Sequence, residues 1–264
     1  ELEKIYKLEV VEIPTNRDTQ RIDRGDYIYM TEEAKWDAIA ERITELHHDG
    51  RPVLVGTTSI DKSELLGDLL KKKRIPHNVL NAKQHEREAN VIAEAGKARS
   101  VTVATNMAGR GTDIILGGNP DVTVASEAGW QNDHDTIIQK GGLFVLGTER
   151  HESRRIDNQL RGRCGRQGDP GETQFFLSTE DDIVRRFGGD RIRGAMNLFR
   201  WEADVPIENK MVSKSVETAQ TKVEAQNFEI RKYLVDYDDV VNTQRDIIYQ
   251  LRDKVIDGED LRPT

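Results

Sequence analysis

Two short stretches of this chain carry residue types that could handle an anion. The first, Val101 to Ile114, reads Val-Thr-Val-Ala-Thr-Asn-Met-Ala-Gly-Arg-Gly-Thr-Asp-Ile. Its opening residues have the composition of a buried strand. The loop that follows sets Gly109 and Gly111 on either side of Arg110. Glycines let a backbone approach a ligand closely. Arg110 offers a planar cation suited to phosphate, and Asp113 an acceptor suited to a ribose hydroxyl. In open α/β sheets ligands bind outside the carboxyl ends of the strands. The plainer alternative is a glycine-rich turn in which Arg110 and Asp113 pair with each other. The second stretch, Gln159 to Gly171, reads Gln-Leu-Arg-Gly-Arg-Cys-Gly-Arg-Gln-Gly-Asp-Pro-Gly and follows a segment that already holds Arg154 and Arg155. Arg161, Arg163 and Arg166 crowd a short glycine-broken run. Cations this close repel one another unless an anion or nearby carboxylates compensate, and arginine binds phosphate bidentately. The plainer alternative is a solvated patch, or pairing with Glu152 and Asp157. Aromatic residues do not interleave with these arginines, as a nucleic-acid stacking surface would require.

The elements that must position these residues alternate. Thr31 has the form of a helix N-cap, with Glu32 and Glu33 in the first turn, an apolar stripe of Ala34, Ile39, Ile43 and Leu46, and Gly50 as the stop. Strands are expected at Val53–Val55, His77–Leu80, Val101–Thr105, Leu143–Leu146 and Gln174–Leu177. Helices are expected at Lys62–Lys73, Glu86–Glu94 and Ser153–Gly162. That alternation implies an α/β fold with a mostly parallel sheet. Lys7 to Ile13 also reads as a strand, stopped by Pro14, and Asn16 to Gly25 as a polar linker. Gly117 to Gly141, rich in Gly, Asn and Asp, reads as an irregular insertion. After Asp204 the pattern changes. Pro206 suits a first helical position, and apolar residues then recur three or four apart to about Ile256. Such a helix is much longer than a typical globular one.

Charged residues make up 33% of the 264 and hydrophobic residues 36%, with a net charge of −8. The acidic balance argues against a chain built mainly to hold nucleic acid. A single cysteine, Cys164, excludes an internal disulfide and fits a reducing compartment; it is expected to pack. The six histidines show no ligand spacing, so no metal site is expected. Trp130 and Trp201 are expected to be packing anchors. No basic and apolar leader opens the sequence, and no apolar run reaches membrane-spanning length.

Taken in order, the two stretches are more specific than either alone. Ala-Thr-Asn-Met-Ala-Gly-Arg-Gly-Thr-Asp-Ile resembles motif V of superfamily 2 helicase-like ATPases, and Gln-Leu-Arg-Gly-Arg-Cys-Gly-Arg resembles their motif VI. Within that group the wording resembles the SecA family of preprotein translocase ATPases, as do Val55 to Glu64, Leu80 to Glu86, Gly147 to Ser153, Lys222 to Lys232 and Tyr237 to Arg245. The resemblance implies an entry strand and linker over 1–25, a second RecA-like nucleotide-binding domain over 26–204 and a helical scaffold segment over 205–264. It implies that ATP or ADP with Mg²⁺ lies between this domain and a first RecA-like domain of the same parent chain. Arg163 and Arg166 would reach the γ-phosphate as arginine fingers, with Gln159 beside them. Gly109, Arg110 and Gly111 would sit at the phosphate end, and Asp113 near the ribose. The implied partners are that first domain, the Sec channel and preprotein, with an acidic membrane surface met only indirectly and no specific nucleic acid. The implied location is the cytoplasm, peripheral to the inner face of the cell membrane. The second domain of a superfamily 2 nucleic-acid helicase is the alternative, since motifs V and VI are shared; a pure interaction module built on the long helix is another. The sequence departs from the family's pattern in several respects. It contains neither Gly-x-x-x-x-Gly-Lys-[Ser/Thr] nor Asp-Glu-x-Asp, so the Mg²⁺ ligands are expected from the first domain and turnover is not expected of this chain alone. Arg17-Asp18-Thr19 stands where Asn-Arg-Pro is expected, and Cys164 where a small residue is expected. The length is far short of the family's, as an excised piece would be.

Overall fold

The computed structural model describes residues 2–80, 91–105, 111–120, 127–187, 194, 202, 204–208 and 210–258. The chain divides into two compact units, Thr15–Thr221 and a second formed by Glu1–Pro14 with Lys222–Thr264.

The larger unit is built on a parallel sheet. In chain order its strands are β1 (Arg21–Asp23), β2 (Tyr27–Tyr29), β3 (Val53–Thr57), β4 (Asn78–Leu80), β5 (Val101–Thr105), β6 (Leu143–Gly147) and β7 (Gly171–Ser178). Their spatial order is β1-β7-β6-β3-β5-β4, with β2 also beside β7. The register sets Val53 against Val101 and Phe144, and Gly171 against both Leu143 and Arg21. Strands covered on both faces need apolar residues at every position, and β3 and β6 are buried throughout. The two-residue period then sorts side chains by face. Val53, Val55, Val101, Val103, Phe144, Leu146 and Phe176 pack in one cluster with Ile39 and Ile43 of α2 (Glu32–Asp49) and Leu66 and Leu70 of α3 (Ile60–Lys72). Leu54, Ala104, Leu143, Val145, Phe175 and Leu177 pack in the other. There they meet Ile137 of α4 (Glu127–Gln139), Leu160 of α5 (Arg154–Arg161) and Ile183 of α6 (Asp182–Phe187). The same cluster takes in Val216 and Ala219 from the start of α7 (Lys210–Ile256).

Helix boundaries follow their caps. The Thr31 hydroxyl accepts from the Ala34 N–H at 3.2 Å, and Gly50 closes α2 in the left-handed conformation at φ 85°. Ser59 and Ser153 cap α3 and α5 in the same way.

Four expectations are corrected. Lys7–Ile13 is not a strand: α1 (Leu2–Tyr6) precedes it, and Leu8, Val10, Val11 and Ile13 stand exposed. Their alternation is real, but within the described residues no ladder takes it up. The Asn16–Gly25 stretch is not all linker, because β1 lies inside it. Its residues are polar and become a strand only by pairing with β7. The Gly117–Gly141 segment is not irregular throughout, since it contains α4. Ile137, fully buried, and Ile138 beside it anchor a largely polar helix. The long helix starts at Lys210 rather than Pro206. Ile207 is held in extended pairing with Ile28, donating to its carbonyl at 2.9 Å and accepting from its N–H at 3.3 Å. The expected helix Glu86–Glu94 falls largely outside the described residues.

In the smaller unit α7 runs on past Lys222, and Ile230, Tyr233, Leu234, Tyr237, Val240, Ile248 and Val255 are exposed along it. Among the described residues no helix is long and apolar enough to cross a membrane.

Candidate functional site

The two stretches singled out by their chemistry meet. β5 ends at Thr105, and by Gly117 the chain lies toward the amino end of the sheet. There the Gly117 N–H donates to the carbonyl of Gly96, five residues before β5 begins, at 2.9 Å. On the way it passes the loop that follows α5. Arg166 Nη1 lies 2.8 Å from Asp113 Oδ1, and Arg163 Nη1 reaches the Thr112 carbonyl at 3.5 Å. The Asp113–Arg166 pair is open to solvent, with the side chains 53% and 41% exposed. Gly111 sits at φ +87°, and among the described residues nothing stands within 4 Å of where a Cβ would be, so the backbone here can be approached. Gln159 is exposed on α5. Gly109 and Arg110 lie outside the described residues. Asp113 therefore pairs with Arg166, and the alternative in which it pairs with Arg110 has a competitor.

The location corrects an expectation. Arg163 and Arg166 precede β7, whose first residue aligns with the first residues of β6 and β1. The described candidate residues Asp113, Arg163 and Arg166 therefore lie toward the amino ends of the strands, not beyond their carboxyl ends. The loop geometry explains this. Gly165 is left-handed at φ +67°, and the Gly171 backbone passes so close to Cys164 that a Cβ would meet its Sγ at 3.0 Å. Cys164 packs as expected, and burial pushes its thiol up to about 12.

The arginines divide by burial. Arg161 is buried: Nη1 donates to Thr173 Oγ1 at 2.7 Å and lies 3.5 Å from Asp23, with the guanidinium 4.7 Å from the centre of Phe175. Arg150, not flagged by its local sequence, stands 4.5 Å from the same ring and grips Asp26 with two contacts of 2.8 Å. It also donates to Asp157 at 3.1 Å. Burial draws the Asp157 carboxyl upward, but hydrogen bonds from His151 and the charge of Arg150 outweigh it and hold it below the usual range. For Asp26 burial wins, and its carboxyl is raised despite Arg150. Gln220 of α7 donates to Asp157 Oδ2 at 2.7 Å and to the His151 carbonyl at 2.8 Å. A cavity of about 390 Å³ opens beside this network, among Asp26, Arg150, Arg154, Arg161, Glu217 and Gln220. Arg150 precedes α5, Asp157 lies within it and Gln220 lies on α7, and nothing in their local sequence marks their meeting.

A second buried polar cluster lies at the carboxyl ends of β3, β6 and β7. Lys35, with no exposed surface, meets Asp181 at 2.6 Å and Glu149 at 3.4 Å. Glu149 also pairs with Lys62 and accepts from Thr58 at 3.2 Å, and Asp181 accepts from the Ser178 N–H and hydroxyl at 2.8 and 2.7 Å. Trp130, half-buried, donates to the Gly118 carbonyl at 2.9 Å; Trp201 lies outside the described residues. Among the described residues no three of His, Cys, Asp and Glu group as a metal site would.

Comparison with known proteins adds to this geometry. A family model described as the SecA P-loop domain matches residues 18–204, and one described as the SecA Wing and Scaffold domain matches residues 206–264. The protein translocase subunit SecA of Oleidesulfovibrio alaskensis is 58% identical over 264 residues, covering 100% of this chain and 29% of that protein. That of Thermodesulfovibrio yellowstonii is 52% identical over 281 residues, covering 99% of this chain and 32% of that protein. That of Geobacter metallireducens is 54% identical over 282 residues, covering 99% and 31%. This chain thus spans about three-tenths of the length of these curated relatives. Among solved structures, Mss116p DEAD-box helicase domain 2 bound to an RNA duplex aligns with 86% of this chain and 79% of that one, at 14% identity and a TM-score of 0.43. At that level the likeness carries no argument about this chain.

Proposed function

Since this chain belongs to the SecA family, whose P-loop domain model matches residues 18–204, we propose that it forms the second RecA-like nucleotide-binding half of a SecA motor, joined to the start of its scaffold. Residues 26–204 form that half and 205–264 the scaffold segment, with 1–25 leading in. The motor couples ATP binding and hydrolysis to movement of preproteins through the Sec channel, working from the cytoplasm at the inner face of the membrane. The observation that carries this reading is the meeting of Asp113 with Arg166 across fifty-three positions of sequence, with Arg163 reaching the same loop. The helicase reading has no support of its own beyond the shared motifs.

The residues present suit a nucleotide phosphate. Arg163 and Arg166 share one loop, and among the described residues Arg166 is tied to groups an anion can displace or leave in place: the exposed Asp113 and, through Nε at 2.8 Å, the Gly162 carbonyl. A bound nucleotide would supply the transferable phosphoryl group, and Mg²⁺ the neutralisation of its charge. Arg163 and Arg166 would hold the terminal phosphate, with a stabilising effect that grows as charge develops there. Gln159 would orient beside them. Gly109, Arg110 and Gly111 would line the phosphate end, and Asp113 would turn to the ribose. Mg²⁺ ligands and the positioning of water would come from the first nucleotide-binding domain.

The test replaces the matching segment of a full-length SecA with this chain and measures steady-state ATPase. Arg163→Ala or Arg166→Ala should each cut turnover at least about a hundredfold, by analogy with arginine fingers in GTPases. Lysine should not rescue, because it lacks the planar fork. ADP affinity should change far less. The unmodified chain alone should release no phosphate above background. Near-normal turnover by either alanine variant would refute the assignment.

A further inference from the structure

The hydrogen bonds that join α5 to α7 assign a role to a residue outside the arginine segment. Gln220 has no exposed surface, and its amide nitrogen spans two acceptors on different elements, the His151 carbonyl before α5 and the Asp157 carboxylate within it. Both targets are acceptors, so a flipped amide would set oxygen against oxygen. The orientation is therefore fixed by the partners. Asp157 is in turn held by the His151 ring at 2.7 Å, the His151 N–H at 3.0 Å and Arg150. The end of α5 transmits what happens at Asp157. The Gly162 N–H bonds the Asn158 carbonyl at 2.8 Å, that of Arg163 bonds Leu160 at 3.0 Å, and that of Cys164 bonds Arg161 at 3.3 Å. A turn of α5 about its axis would therefore swing Arg163 and Arg166.

We infer that Gln220 is a positioning residue that fixes the rotation of α5, and with it the direction in which Arg163 and Arg166 point. The inference rests on the reading of those arginines as the phosphate-facing pair. Two features separate this role from plain stabilisation. Val216 and Ala219, on the same turns of α7, already bury the helix in the core, so Gln220 adds direction rather than apolar area. Among the described residues neither Gln220 Oε1 nor His151 Nε2, both buried, has a hydrogen-bond partner. Buried polar groups are normally satisfied, and an apolar side chain of similar size would avoid that penalty. A half-satisfied amide is retained where its two donated bonds matter more than its unmet acceptor.

Gln220→Met keeps length and helix propensity and removes both donors. Hydrogen exchange on the whole chain should show the amides of 159–168 exchanging about tenfold faster, with those of β3 and β6 unchanged and the melting temperature little moved. In a SecA carrying this chain, kcat should fall by about tenfold while the KM for ATP holds, because misplacement affects the transition state first. Gln220→Asn, which keeps the amide but withdraws it by one methylene, should show the same local loosening if the Met variant does not fold. Wild-type exchange over 159–168, or equal acceleration in β3 and β6, would overturn the inference. Failure of both variants to fold would overturn it too, by making Gln220 structural. If Arg163→Ala turned over normally while the Gln220 variants still loosened 159–168, the phosphate-facing reading would have failed on its own.

Discussion

Replacing Lys35 with methionine should destabilise the larger unit by an amount that depends on pH. Lys35 is fully buried and meets both Asp181 and Glu149. Removing one partner of a buried ion pair costs about 3–5 kcal/mol, because a charge is left uncompensated. Here the low end applies, since Glu149 keeps Lys62 and Thr58 and Asp181 keeps both donors of Ser178. For a domain of this size about 3 kcal/mol corresponds to a fall of roughly 6–12 °C in melting temperature. Burial pushes the Asp181 carboxyl up to about 6 even with Lys35 in place. A carboxyl raised on folding binds its proton better in the folded state. Its contribution is therefore full below the ordinary carboxylate range and is lost as pH rises through about 6. Without Lys35 the folded value rises further, so the loss deepens above pH 6. Thermal melts at pH 5, 6 and 8 should show the deficit of Lys35→Met largest at pH 8 and shrinking toward pH 5. A second change, Asp181→Leu, should recover much of it at pH 8. An equal deficit at all three values, or none, would refute the reasoning.

Other outcomes follow from the same geometry. Cys164, with its thiol pushed up to about 12 by burial, should resist a disulfide reagent at pH 8 in the folded chain and react at once in denaturant. Rapid native reaction would show that the loop opens. In Gly96→Ala the new Cβ would stand 2.7 Å from the Ile115 carbonyl carbon and nearer still to its oxygen. Strain of about 1–3 kcal/mol should lower the melting temperature and displace the segment that carries Thr112 and Asp113, readable as faster exchange at Ile114 and Gly117. The Asp113–Arg166 pair is well exposed. Arg166→Ala should therefore leave chemical denaturation unchanged within about 1 kcal/mol, and a larger loss would make this arginine structural.

What could be read from the sequence was what burial on both faces or a local cap dictates. Val53–Val55 and Leu143–Leu146 are continuous apolar runs, and Val101–Thr105 is broken only by threonine, because the sheet is covered on both sides; they extend by no more than two residues in the structure. Thr31 and Gly50 bound α2 through chemistry visible in the chain itself. What could not be read was whatever depends on a distant partner. Arg21-Ile22-Asp23 has no strand pattern and becomes one through Gly171 to Thr173. Ile207 joins an apolar helical stripe by spacing, yet its backbone is committed to Ile28. Asp113 and Arg166 were each visible, but their meeting was not, since it depends on 111–118 folding back toward the amino end of the sheet. Gln220 was hidden most completely. It looks like one of many polar residues on a long helix until Asp157 is placed beside it.

The arginine cluster itself argues more for phosphate in the structure than in the sequence, by a different route. Crowded cations imply a bound anion only if nothing else compensates them. Here carboxylates compensate several: Asp26 and Asp157 serve Arg150, Asp23 lies within reach of Arg161, and Asp113 serves Arg166. Repulsion therefore calls for no ligand. What distinguishes the residues is the cost of leaving their present partner. Arg150 and Arg161 are packed on the ring of Phe175 and bonded within the fold, so extracting either would strand buried carboxylates or an unfilled ring face. Arg166 holds Asp113 in solvent, where an ion pair contributes about 0–1 kcal/mol. A nucleotide phosphate, with more charge and more acceptor oxygens than one carboxylate, can displace Asp113 without disturbing the core. The buried arginines anchor the scaffold, and the loop beyond Gly162 keeps Arg166 free to change partners.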